Sequence, residues 1–163
     1  MAPRDIKIRR PDLLIAGAWL LNGAAWFLPV VKGVAGGEIN PITGWQAFLM
    51  ASSAVGGSLG TWYDAVLATL SVVTTLFFIV SLWVVLRGSH SLRRACAWVA
   101  AAAFLFNAHW YVRLSPNSLV SDLGIGYFLW WWSFVLLAIG LFDLAGGSNA
   151  RWLHAKSAAL LSR

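Results

Sequence analysis

With one cysteine, six acidic residues and three histidines in 163 residues, the chain is short of the side chains that most catalytic and metal sites are built from. Cys96 alone excludes an intrachain disulfide and any multi-cysteine zinc or iron–sulfur site. Charge is scarce too: Asp, Glu, Lys and Arg make up 11% of the chain, against roughly 25% in soluble domains. There is no Ser–His–Asp set, no pair of neighbouring carboxylates, no phosphate-binding glycine loop and no HExxH. Hydrolysis and phosphoryl transfer therefore lack their parts, and no cofactor is predicted.

In place of charge there is apolar length. Hydrophobic residues make up 60% of the sequence, and 11 of its residues are Trp. From Ala65 to Leu86 the chain runs without a charge, a glycine or a proline, between Asp64 and Arg87. As a helix, at about 1.5 Å per residue, this stretch covers the roughly 30 Å hydrocarbon core of a bilayer. In lipid, a helix or a closed barrel is what satisfies its own backbone. Three more runs have similar length, and the sequence predicts an all-α membrane protein with four transmembrane helices in a bundle. The spans fall at about 13–31, 65–86, 95–112 and 124–144. Residues 1–12 form a basic segment, 13–146 a single four-span domain and 147–163 a basic tail.

The first run could instead be a signal peptide, because Gly23-Ala24-Ala25 resembles a cleavage site. Trp26 to Val31 extends it to bilayer length, which favours an uncleaved span. Between the first two spans, Asn40 can cap a helix and Pro41 fits its first position. Ile42, Trp45, Phe48 and Leu49 then recur on one face, giving a short amphipathic helix at about 41–54 in the first outer loop. Such a piece is too short to cross and is expected in the interface or as a re-entrant segment. Thr61 and Asp64 have capping-box spacing at the start of the second span. Gly146-Gly147-Ser148-Asn149 is expected to end the fourth span, leaving a separate inner-surface C-terminal helix.

Of the 12 Lys and Arg residues, only Lys32 and Arg113 fall outside the N-terminal segment, the 87–94 turn and the tail. The positive-inside rule then puts both termini in the cytoplasm. A net charge of +6 would suggest nucleic acid in a soluble protein. Here the cations flank hydrophobic runs, where anionic headgroups and topology account for them, so the expected partner is the lipid bilayer and not nucleic acid.

Faces of small residues mark where membrane helices approach closely. Ala18, Asn22, Ala25 and Pro29 form one, and Cys96, Ala100, Ala103 and Asn107 another. Ser71, Thr74, Thr75 and Ser81 line a similar face of the second span, and Gly126, Ser133 and Gly140 one of the fourth. Asn22 and Asn107 read either as interhelical hydrogen-bond glue or as steps in a polar path. His109 is the one histidine within a span and joins them as a candidate path residue. Position along the span makes Asn22 the more sensitive of the two amides. Asp143, at the inner end of the fourth span, is expected to pair with Arg87, Arg93, Arg94 or Arg151. Trp45, Phe48, Trp130, Trp131 and Trp132 are candidate interface aromatics. Three consecutive indoles point in three directions, so at least one of them faces lipid or a partner.

The pattern resembles that of small four-span bacterial inner-membrane proteins, a resemblance that brings no functional residues with it. The reading that follows is a non-enzymatic accessory or assembly subunit of a membrane complex, in contact with a membrane-protein partner or a second copy. A small oligomeric transporter or channel using Asn22, Asn107 and His109 is the alternative, and a haem- or quinone-associated protein the third.

Overall fold

The computed structural model describes residues 9–35, 38–53, 62–114 and 123–161. Helix α1 (Arg10–Phe27) begins at half of a capping box, in which the Arg9 backbone N–H donates to the Asp12 carboxylate and the Arg9 guanidinium donates to it as well. It ends four residues before the predicted limit of the first span. Pro29 disfavours helical geometry in the residue before it, and Leu28 is extended, with φ −95° and ψ 153°.

The chain then forms a hairpin that the helical reading of this region did not include. Strand β1 (Pro29–Ala35) pairs antiparallel with β2 (Glu38–Thr43), Val31 opposite Ile42 and Val34 opposite Ile39. The fold is thus mostly helical but not all-α. Asn40 and Pro41 lie in β2 and do not start a helix. Helix α2 (Gly44–Ser53) starts three residues later than predicted, because Thr43 is where the backbone turns. The Gln46 side chain accepts the Thr43 backbone N–H at 2.9 Å, which is half of a capping box.

Helix α3 (Trp62–Arg87) matches the long uncharged run. The Thr61–Asp64 capping spacing lies outside the described residues and side chains. Gly88 and Ser89 alone connect α3 to α4 (His90–Asn107), which therefore opens five residues before the predicted third span. Ser89 caps it by accepting the Leu92 N–H, and the Arg93 guanidinium donates to the Val84 and Val85 carbonyls at the end of α3. The stretch predicted as the third span is not one helix: α4 stops at Asn107, and α5 (His109–Leu114) follows the single turn residue Ala108. Side chains occupy carbonyls at this point. Asn107 Nδ2 donates to the Ala103 carbonyl, His109 Nδ1 bonds the Phe106 carbonyl, and the Tyr127 hydroxyl donates to that of Asn107.

Helix α6 (Ile125–Leu161) is 37 residues long and passes straight through Gly146-Gly147-Ser148-Asn149. The predicted break and separate tail helix are therefore absent. Each glycine costs about 1 kcal/mol in a helix relative to Ala, a penalty the Ala- and Leu-rich residues on either side can outweigh.

Two segments, Ala65–Arg87 of α3 and Ile125–Gly146 of α6, are long and apolar enough to cross a membrane. The other long helices lie alongside them. Between α1 and α6, Arg10 meets Asp143, Ile15 meets Gly140 and Asn22 meets Ser133, so the two run antiparallel. Helix α4 also opposes α6: Trp98 packs edge-on to Phe142, and Phe104 stacks on Trp131. Helices α3 and α4 form an antiparallel hairpin, from Arg93 against Val85 to Asn107 against Ser71.

The predicted small-residue faces are largely the buried ones, although Pro29, predicted on the first, lies in β1 and is half-buried, as are Ser71 and Thr74. Ala18, Asn22 and Ala25 are buried on α1, and Cys96, Ala100, Ala103 and Asn107 on α4. Phe78 of α3 closes the centre between Trp19 and Phe134, with ring centroids at 5.1 and 5.4 Å.

Candidate functional site

The two buried asparagines and their polar partners form two clusters toward the end where the hairpin lies. In the first, Asn22 Nδ2 donates to Ser133 Oγ at 3.3 Å while its Oδ1 accepts the Trp26 indole N–H at 3.3 Å. Ser133 in turn donates to the Trp130 carbonyl. The second centres on Asn107, whose Nδ2 donates to Thr74 Oγ1 at 3.2 Å and whose Oδ1 accepts from Ser71 Oγ at 3.2 Å. Ser71 also accepts the Trp110 indole N–H at 3.1 Å. The first cluster joins α1 to α6 and the second joins α3 to α4.

His109 lies beside the second cluster. A carbonyl only accepts, so its Nδ1 carries the proton in the 2.7 Å bond to Phe106, and its ring packs against those of Phe106 and Trp110.

Between the clusters is a half-open cavity of about 300 Å³. Its floor and sides come from Ala25 and Trp26 of α1, Ala68, Ser71, Val72 and Thr75 of α3, and Tyr127 and Trp130 of α6. Above them lie Val30 and Val31 of β1 and one stripe of α2: Gly44, Ala47, Phe48 and Ala51. That stripe has the i, i+3, i+4, i+7 spacing of a single helical face. It is rotated from the predicted one, since Trp45 and Leu49 point outward and are about half exposed. Gly44 allows the close approach that roofs the cavity, because a Cβ there would run into the Ala25 carbonyl and stand 2.9 Å from the Trp26 Cα.

The three indoles do separate into different surroundings. Trp130 lines the cavity, Trp131 stacks on Phe104 and donates to its carbonyl at 2.8 Å, and Trp132 is half exposed. Trp45 and Phe48 both pack on Trp26, with centroids at 5.4 and 5.2 Å.

At the opposite end, the described cation at Asp143 is Arg10, 3.5 Å away and largely exposed. Arg93, one of the expected partners, bonds instead to the end of α3. Sequence reasoning missed Arg10 because the antiparallel register of α1 on α6 is a tertiary fact. It missed the hairpin despite a usable signal: Gly36-Gly37 separates two runs rich in Val and Ile.

Comparison with known family models, with curated proteins and with solved structures finds no match to this chain.

Proposed function

We propose that this chain is an integral membrane protein of four antiparallel spans that acts as a non-enzymatic accessory or assembly subunit. The observation that carries this reading is where its polar groups go. Asn22 and Asn107, the amides within the apolar lengths, are each engaged in helix-to-helix hydrogen bonds, in two clusters on two different seams. A solute path would need a connected series of accessible polar groups, whereas bonds of this kind are what hold membrane helices together.

The outer surface supports the membrane setting. Val66, Leu70, Val73, Leu76, Ile79, Val80 and Trp83 of α3 are all exposed, a strip of apolar surface that a soluble protein would bury. Helices α1 and α4 open with charged residues and are less apolar, but they run antiparallel along the apolar length of α6, from Arg10 at Asp143 to Asn22 at Ser133 in the case of α1, with Pro29 just past its end at Gly126. If α6 crosses the bilayer, its neighbours cross with it. Arg9, Arg10, Arg87, Arg93 and Arg94 at one end outnumber Lys32 of β1 and Arg113 of α5 at the other, so the positive-inside rule assigns their end to the cytoplasm, and that is where we place both termini of the chain. Exposed Trp45 and Trp132 offer aromatic surface to a membrane partner or a second copy.

Labelling with an impermeant thiol reagent in intact cells tests the arrangement. Gly57→Cys and Asn117→Cys are expected to react and Ser89→Cys is not, Cys96 being buried. Labelling at Ser89→Cys alone would invert the proposal. Purification in mild detergent is expected to bring a stoichiometric membrane protein or a second copy with the chain, and a monodisperse single chain would remove the accessory role.

A further inference from the structure

We infer that the cavity beneath α2 holds one acyl chain of a bilayer lipid, an inference that rests on the membrane reading above. The chemistry of its wall selects the occupant. Carbon forms almost all of it, and the hydroxyls on its wall are already engaged: Ser71 Oγ with Asn107 and Trp110, Thr75 Oγ1 with the Ser71 carbonyl, Tyr127 with the Asn107 carbonyl. A quinone carries a carbonyl oxygen at each end of its ring and a polar solute needs several partners, whereas the Trp26 and Trp110 indole N–H groups and the Tyr127 hydroxyl are taken. Water is equally disfavoured, because an ordered water needs about two to four polar partners and a wall so largely of carbon stays dry or takes an apolar guest.

Size and position agree with a hydrocarbon tail. About 300 Å³ is at the lower end of the roughly 300–1,000 Å³ of small-molecule sites, enough for part of a chain and too little for a whole lipid. Helix α3 is pinned to α1 and α6 by Phe78. Toward the hairpin end the cavity separates them, next to the α3 strip that the membrane reading gives to lipid. Met50, exposed on the rim, gives the mouth a flexible apolar edge that can adapt to a disordered chain. The headgroup then stays outside at the end of the bundle, and only part of one tail is enclosed.

The test reconstitutes the full chain in vesicles doped with a phospholipid that carries a diazirine midway along one acyl chain, and maps the photoadducts by mass spectrometry. Adducts are expected at cavity residues such as Val72 and Met50 as well as on the outer face at Leu76 and Ile79. Ala68→Phe and, from the opposite wall, Ala51→Phe put a ring where several chain methylenes would lie. Each should cut cavity adducts by about tenfold while leaving outer-face adducts unchanged. Outer-face labelling without cavity labelling, or cavity labelling indifferent to both variants, would overturn the inference. Loss of outer-face labelling in a variant marks misfolding, and the other variant then decides. Extraction of the chain from membranes by alkaline carbonate is a separate result that would refute the membrane reading itself, and the inference with it.

Discussion

The seam between α1 and α6 and the seam between α3 and α4 each bury one asparagine, but they are closed by different means. On the first, Gly126, Ser133 and Gly140 of α6 face Pro29, Asn22 and Ile15, and a Cβ at Gly140 would stand 2.7 Å from Ile15 Cγ1. The backbones touch because nothing larger intervenes, and van der Waals contact along the whole seam supplies the association energy. Helix α3 has no such glycine stripe. It meets α4 through Ser71, Thr74 and the Asn107 amide, and stays apart from α1 and α6 above Phe78, where the cavity opens. Residue size thus sets how near two helices come, and hydrogen bonds hold a pair that size alone leaves loose.

The comparison breaks most sharply at a glycine. Gly126→Val places side-chain carbon against the Leu28 and Pro29 carbonyl oxygens, 2.8 and 2.9 Å from where its Cβ must lie, and backbone cannot step aside as a side chain can. Overpacking typically costs about 1–3 kcal/mol, and the unyielding backbone puts this site at the upper end. Thermal unfolding in detergent should show it, and a melting temperature equal to wild type would refute the close α1–α6 seam.

Next come the amides. Replacing either by Leu should cost about 1–2 kcal/mol, with activity falling only as far as folded protein does. Depth in the bilayer would put Asn22 first, but the hydrogen bonds reverse the order. Asn107 is fully buried and bonds Thr74, Ser71 and Ala103, whereas Asn22 bonds Ser133 and Trp26 at 3.3 Å each. Asn107→Leu should therefore melt lower than Asn22→Leu in the same detergent. Unchanged melting in both would move the transporter reading to first place.

The smallest effect lies at the charged end of the α1–α6 seam. The Arg9 guanidinium hydrogen-bonds the Asp12 carboxylate and holds it below the ordinary carboxylate range. A depressed folded value stabilises above the unfolded value, and that contribution is lost as pH falls through the folded one. Both side chains are solvated, so the contribution is slight. The melting difference between wild type and Asp12→Asn should shrink between about pH 7 and about pH 2, and a growing difference would reverse the sign.

Much of this was legible along the chain because burial of a helix face is a local property. Ala18, Asn22 and Ala25 recur with the helical period, as do Cys96, Ala100, Ala103 and Asn107, and such a stripe has to find a neighbour wherever the helix ends up. The long uncharged run of α3 and the basic flanks of the apolar lengths are legible for the same reason. What no stripe can declare is its partner. Several faces of similar width could have matched, and only mutual fit in three dimensions set Asn22 on Ser133, Asn107 on Ser71 and Thr74, and Arg10 on Asp143. The hairpin at Pro29 to Thr43 exists because two β-branched runs could pair across a short turn, and the α2 stripe faces inward because Gly44 let the backbone close over Ala25. The cavity is the residue of those choices: it is made of residues from seven elements, none of which encodes it alone.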